Sequence, residues 1–316
     1  MQTDPELGWV SSPLKSGLPN RWKSKVTILP DGTRSNGSRF PTADRPTVLA
    51  VGDSFTFGDE FSDSDTWPAA LERRLGSRVV NAGMCGYGLD QSLLRAEKLV
   101  PQLKPAVLVY SLFWLSITYS EWASQPATHY LPKPYFVVEK TGLRLHQSPT
   151  PPADPIDVKL DTAHWVLGHS YLIDRLAAKA VPKWWTVKPL DAQVTGQKGT
   201  QIGCAILDRL KAFSRRQNVR TIVLLQHRVD APPIPTEEMA QIRDCAEQAG
   251  LEVVDTRPAF DALMRKQPGE MDKLWGGGHM NRAGNEFIAS LVTRQISKPP
   301  PSPRKLARSG AASAPM

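Results

Sequence analysis

Ser54, His279 and two glycine-bearing turns are the parts of this 316-residue chain whose types and placement could do chemistry. Ser54 stands in Val51-Gly52-Asp53-Ser54-Phe55-Thr56-Phe57-Gly58, directly behind the apolar run Thr47-Val48-Leu49-Ala50. Such a run reads as a buried strand, and open α/β sheets hold their ligands at the carboxyl ends of strands. A serine hydroxyl placed there becomes a nucleophile when a base takes its proton. Backbone N–H donors aimed at the substrate oxygen then stabilise the charge that develops. The stretch Asn81-Ala82-Gly83-Met84-Cys85-Gly86-Tyr87-Gly88 follows a second apolar run and offers such donors. His279, in Gly276-Gly277-Gly278-His279-Met280-Asn281, precedes the last helical pattern and offers the base. An imidazole is mostly neutral near pH 7 and can accept a proton.

Each piece also has a plainer reading. Asp53 and Ser54 could cap the turn that follows them. Residues 81–88 could be a glycine-rich turn with no catalytic part, and a lone histidine is commonly a packing residue. Gly52-Asp53-Ser54-Phe55-Thr56 is not the Gly-x-Ser-x-Gly elbow of α/β-hydrolases. In the chemical reading, Ser54 and Gly86 N–H groups form the oxyanion site, and Asn81 ties the two loops together. His227, at the end of the fourth strand, is the competing histidine and a pocket-lining candidate.

These residues need a scaffold, and the chain supplies one from residue 46 onward. Short β-branched runs alternate with helical stretches, the pattern of a parallel sheet flanked by helices. Strands are expected at Thr47–Val51, Arg78–Asn81, Ala106–Phe113, Arg220–Gln226 and Leu251–Asp255. Helices are expected at Gln91–Leu103, Gln201–Gln217, Thr236–Ala249 and Ala283–Ile296, with one more capped by Asp65 and carrying Trp67, Leu71 and Leu75. Right-handed crossovers then give a doubly wound five-stranded sheet in the order 2-1-3-4-5. Residues 1–45 read as an extended arm around the sheet edge, and residues 46–297 as the catalytic-type domain. Residues 116–200 form a long insertion after the third strand, which suggests a lid. Inside it Tyr135–Glu139 and Leu143–His146 flank Lys140-Thr141-Gly142 as a hairpin, and Asp161–Lys183 reads as helical. The aromatic residues gathered there, from Trp114 to Trp185, suit either lid packing or stacking on sugar rings. The tail 298–316 is expected to be disordered.

Composition removes several alternatives. Hydrophobic residues at 41% and charged residues at 22% are ordinary for a globular protein. No apolar stretch approaches the ~20 residues that span a bilayer. The net charge of +8 owes four units to Lys298, Arg304, Lys305 and Arg308 in the tail. No basic-aromatic nucleic-acid motif is present. Cys85, Cys204 and Cys245 are too few for a disulfide framework, and no His/Cys pair has metal-ligand spacing.

Taken in order, these blocks resemble the SGNH (GDSL-type) hydrolase family. Gly52-Asp53-Ser54-Phe55 is similar to its nucleophile block, Asn81 through Gly86 to its oxyanion-glycine block, and His279 to the base of its last block. Thr66-Trp67-Pro68-Ala69, Asp90-Gln91, Asp4-Pro5-Glu6-Leu7-Gly8-Trp9 and Lys133-Pro134-Tyr135-Phe136 extend the resemblance to a bacterial subgroup, from about residue 4 to 296. The resemblance implies a flavodoxin-like three-layer α/β/α sandwich and serine-dependent hydrolysis of a small-molecule or glycan-linked acyl ester, with no cofactor. Its alternatives are an O-acyltransferase using the same serine and a non-catalytic relative that binds a glycan or acyl ligand. It leaves two compartments open: an extracytoplasmic one if an anchor precedes this sequence, the cytoplasm otherwise.

Two departures from the family pattern matter. The third block usually carries an Asn, yet Leu115 and Ser116 stand at the corresponding positions, which makes Ser111 and Ser116 candidate replacements. The last block usually carries an Asp two or three residues before the histidine, where this chain has Gly277 and Gly276. A backbone carbonyl, Asp272 or Asp255 would then have to orient His279.

Overall fold

The computed structural model describes residues 1–13, 24–38, 47–125, 131–147, 195–228, 236–267, 269, 272–275 and 278–300. The chain opens with β1 (Gln2–Asp4) and β2 (Gly8–Val10), then β3 (Val48–Val51), α1 (Ser54–Phe57), α2 (Trp67–Leu75) and β4 (Val79–Asn81). Next come α3 (Leu89–Leu103), β5 (Val107–Leu112), α4 (Trp114–Tyr119), β6 (Ser124–Gln125), β7 (Leu131–Pro132), β8 (Tyr135–Glu139) and β9 (Gly142–His146). The last part holds α5 (Gly199–Gln217), β10 (Arg220–Leu225), α6 (Thr236–Gln248), β11 (Glu252–Asp255), α7 (Arg257–Lys266) and α8 (Arg282–Ile296).

Five of these strands pair in parallel in the order β4-β3-β5-β10-β11. Counted within the sheet this is 2-1-3-4-5, the expected doubly wound order. Side chains alternate between faces along a strand, and here both faces are covered. Leu49, Val51, Leu108, Tyr110, Val223 and Leu225 pack against Leu93 of α3, Ile206 of α5 and Ile242 of α6. Val48, Ala50, Val107, Val109, Ile222 and Leu224 pack against Leu71 of α2, Phe260 of α7 and Ile288 of α8. Burial on both faces is why the strands read as unbroken apolar runs. The result is a flavodoxin-like α/β/α sandwich.

Local details differ from expectation in three places. Asp65 does not cap α2: it ends a 3-10 turn at Asp63–Asp65, and Thr66 accepts the Ala69 N–H at 3.3 Å. Thr66 has the extended backbone of a cap residue (φ −83°, ψ 157°), one position closer to the helix. Helix α7 was not foreseen, because among its residues Phe260 alone is fully buried and Arg257-Pro258 resembles a loop. Cys204 of α5 and Cys245 of α6 form a disulfide across Cα atoms 5.3 Å apart, and Cys85 is a free thiol.

The insertion is described in part. Strands β8 and β9 form the expected hairpin, with Tyr135 opposite His146 and Glu139 opposite Gly142. The hairpin is seated on the helical layer: Phe136 is fully buried, with the Arg209 guanidinium of α5 5.0 Å from its ring centre. Lys133 and Asp90, both fully buried, form an ion pair that ties the insertion to the start of α3. The helix expected at 161–183 and the tail from 301 lie outside the described residues. Among the described residues no helix is long and apolar enough to cross a membrane.

The described parts of residues 1–45 touch strand β4 and the loop that follows it. Leu7 and Trp9 of the β1–β2 hairpin are buried with Met84 and Tyr87. Arg34 lies antiparallel to Asn81 on the edge strand β4, its N–H donating to the Asn81 carbonyl at 2.8 Å.

Candidate active site

Ser54 opens α1, a single helical turn entered from β3. Asp53 is the turn's N-cap, its Oδ1 accepting the Phe55 N–H at 2.9 Å. The turn ends at Gly58 in the left-handed conformation, whose N–H donates to the Ser54 carbonyl at 2.7 Å. Capping and chemistry therefore coexist here, since the cap is Asp53 and the Ser54 hydroxyl is left to face another partner. That partner is His279, with Oγ to Nε2 at 2.9 Å across 225 residues of sequence.

The other ring nitrogen of His279 meets a residue that sequence reasoning missed. Nδ1 lies 2.7 Å from Glu60 Oε1. An ionised carboxylate only accepts hydrogen bonds. A ring proton on Nδ1, donated to that carboxylate, would leave the Nε2 lone pair facing the Ser54 hydroxyl. Glu60, and not Asp255, Asp272 or a backbone carbonyl, is the acceptor found beside Nδ1. Asp255 is engaged elsewhere, 3.0 Å from His227 Nε2. Gly276 and Gly277 lie outside the described residues. The sequence did hold a signal for Glu60: Asp59-Glu60 is an acidic pair directly after the Gly58 that ends the nucleophile turn.

The loop that carries His279 is fixed from behind. Asn281 caps α8 by accepting the Gly284 N–H at 3.1 Å, and its amide donates to the Lys273 carbonyl at 2.7 Å. Asn285 links this loop to α2, donating to the Met280 carbonyl at 2.8 Å and accepting the Trp67 N–H at 3.0 Å. The imidazole leans on Phe55, with ring centres 4.7 Å apart, and Phe55 stacks on Phe113 at 4.2 Å. Trp275 meets Phe55 edge-on at 6.5 Å. The residues around Ser54 thus include an apolar aromatic wall.

The glycine loop after β4 lies against the nucleophile turn. The Met84 N–H donates to the Gly52 carbonyl at 2.9 Å, continuing the pairing of β3 and β4 past their ends. A Cβ on Gly83 would stand 2.4 Å from the Phe57 nitrogen, so only glycine permits this approach. Asn81 joins the loops, donating to the Thr56 carbonyl at 3.0 Å and accepting the Gly83 N–H at 3.1 Å. Gly86, with φ at 78°, sits third in the turn closed by Tyr87 N–H to the Met84 carbonyl. That position of a type II turn requires positive φ. The Trp9 indole donates to the neighbouring Cys85 carbonyl at 3.1 Å.

The remaining sequence candidates are engaged with other groups. The Ser116 hydroxyl donates to the Asp53 carboxylate, and Ser111 Oγ accepts from the Gln226 amide at 2.8 Å. Ser116 therefore has no proton left for a substrate oxygen. His227 is buried beside Asp255, its N–H donating to Thr256 Oγ1 at 2.9 Å. Burial pushes the Asp53 carboxyl above its ordinary range, opposed by the Ser116 and Phe55 bonds and by His279. Burial likewise raises Asp59, with nearby His279 opposing. Cys85, next to Gly86, is driven well above the usual thiol range by burial and by Asp59. A thiol so raised is not a thiolate nucleophile. Among the described residues no group of three or more His, Cys, Asp or Glu side chains is arranged to hold a metal ion.

No family model matches the chain, and no curated protein matches it. Several solved structures do. The acetyl xylan esterase AlAXEase is 14% identical, with 79% of this chain and 99% of that one covered and a TM-score of 0.45. A lipase/acylhydrolase from Enterococcus faecalis is 18% identical, covering 80% and 95%, with a TM-score of 0.43. Axe2, an acetylxylan esterase from Geobacillus stearothermophilus, is 16% identical, covering 80% and 95%, with a TM-score of 0.42.

Proposed function

We propose that this protein is an SGNH-type serine hydrolase that cleaves carboxylic esters. The observation that carries the reading is the unbroken chain Ser54 Oγ, His279 Nε2, His279 Nδ1, Glu60 Oε1, with contacts of 2.9 and 2.7 Å. Ser54 Oγ attacks the ester carbonyl carbon while Nε2 takes its proton. The oxyanion rests on the N–H groups of Ser54 and Gly86. Ser54 opens a helix, where the first N–H groups have no acceptor within the helix. Collapse breaks the bond to the alcohol, which leaves with the proton from Nε2 and gives an acyl-Ser54. Water then attacks that ester, passes a proton to Nε2, and the acid departs as the proton returns to Ser54. Glu60 keeps the ring in the accepting tautomer and stabilises the imidazolium formed in both steps, the role an orienting carboxylate plays in serine proteases.

A sugar hydroxyl in place of water would make the same serine an O-acyltransferase, and the steps before acyl release are common to both. The non-catalytic binding alternative rests on two departures, the absent third-block Asn and the absent Asp before the histidine; Glu60 offers an acid for the second, while Ser116, donating to Asp53, offers no donor for the first. Hydrolysis of p-nitrophenyl acetate tests the reading. The wild-type protein should turn over and Ser54→Ala should not; equal rates from the two would leave Ser54 without a role.

A further inference from the structure

Glu60 lies in a turn closed by the Phe61 N–H on the Gly58 carbonyl at 3.1 Å and held from outside by the segment at residues 24–34. Ser24 Oγ donates to the Glu60 carbonyl itself. Lys25 accepts the Asp63 N–H on its carbonyl at 3.0 Å and donates its own N–H to Ser62 Oγ at 3.2 Å. The Thr27 N–H donates to Asp63 Oδ1 at 2.9 Å. The largest contribution is Arg34, whose guanidinium is fully buried. Its Nη1 donates to the carbonyls of Phe57 and Gly58, and its Nη2 to that of Phe61. Its Nε lies 3.5 Å from Asp63 Oδ1, and the guanidinium stands 5.1 Å from the Phe57 ring centre. The arginine is itself anchored, since its backbone N–H pairs with Asn81 on β4.

Burying a guanidinium is costly unless its donors are used. Here three donations fall on carbonyls that bracket Glu60 on both sides. A rigid planar fork can do this; a lysine, which offers one point of charge, cannot reach all three.

We propose that Arg34 is a positioning residue for catalysis: by holding the carbonyls of residues 57, 58 and 61 it sets the Glu60 carboxylate against Nδ1 of His279. This rests on the reading that His279 serves Ser54, so the test has one arm that needs no turnover. Arg34→Lys keeps the charge and removes the fork. In ¹⁵N spectra of the full chain, the His279 ring should show the Nδ1–H tautomer in wild type and a tautomer mixture in Glu60→Ala. Arg34→Lys should move toward that mixture. With p-nitrophenyl acetate, Arg34→Lys should lower kcat by roughly 10- to 100-fold, with KM changed by less than about 3-fold, part of the orienter's effect. Placed in Glu60→Ala, the same substitution should cost less than about 3-fold, because coupled residues do not add.

An unchanged His279 tautomer in Arg34→Lys overturns the proposal, whether or not the protein hydrolyses esters. So does a kcat loss of the same size with and without Glu60, which would mark general damage to the fold. Should Arg34→Lys fail to fold, Asp63→Asn disturbs the same guanidinium from its other side and should shift the tautomer in the same direction. An Asp63→Asn spectrum identical to wild type would then overturn the proposal. A wild-type protein with the Nδ1–H tautomer but no esterase activity would sink the proposed reaction and leave the positioning claim standing.

Discussion

Two histidines of this molecule stand beside carboxylates, and their surroundings make them different groups. His279 bridges Glu60 and Ser54, with a carboxylate on one ring nitrogen and a hydroxyl on the other. His227 follows β10 and meets Asp255, which follows from register, because Leu225 and Asp255 are neighbours on β10 and β11. Its environment is nearly closed, with Thr256 on its backbone N–H and only 6% of its surface exposed. An imidazole–carboxylate pair is therefore not by itself catalytic machinery. What separates the two is a reachable hydroxyl at the start of a helix, with a glycine loop alongside.

His279→Ala gives the largest expected effect. It should lower kcat/KM for an activated ester by at least about 10⁴-fold, as loss of the base does in serine hydrolases of other folds. Rates near wild type would move the base elsewhere, with His227 the first group to test. Glu60→Gln comes next, at roughly 10²- to 10⁴-fold in kcat, because an amide NH₂ facing Nδ1 favours the wrong ring tautomer. A loss below about 3-fold would reduce Glu60 to a surface contact of the histidine.

His227→Ala should change kcat by less than about 3-fold while lowering stability, since it removes one of the partners of a partly buried carboxylate. Steady-state kinetics and thermal melting on one sample would separate these effects. The smallest expected effect is on pH dependence. Burial pushes Asp255 up, but the His227 contact, the Arg257 N–H and the Arg243 charge outweigh it and hold the carboxyl below its ordinary range. A depressed carboxylate contributes stability that is present above its unfolded value and lost as pH falls through its folded one. Melting temperature should therefore fall in wild type as pH drops below about 4. His227→Ala should flatten that acid limb, and an identical slope in both proteins would show that the pair is energetically idle.

The same contrast shows what could be read from sequence. The sheet was legible because its inner strands are apolar runs, and covered faces leave that signal unbroken in Val48–Val51 and Val107–Leu112. Ser54 and His279, which the fold brings together, were legible because each lies in a glycine-bearing segment at a strand or helix end. Glu60 was only half legible: the acidic pair Asp59-Glu60 stands out after Gly58, but the histidine it meets is 219 residues away. The family pattern places the acid just before the histidine, not after the nucleophile turn. The Cys204–Cys245 disulfide was hidden for the same reason, since it depends on how α5 and α6 pack rather than on spacing. Arg34 carried no signal at all: a lone arginine in a polar segment reads as surface, and only the three carbonyls around its guanidinium give it a part.

Mapping the adduct of a fluorophosphonate by peptide mass spectrometry tests the central claim most directly, because that reagent needs an activated serine rather than a suitable substrate. The predicted result is a single modified residue, Ser54, in the wild-type protein and near-complete loss of labelling in His279→Ala. Modification of a different serine, or equal labelling of Ser54 with and without His279, would contradict the account.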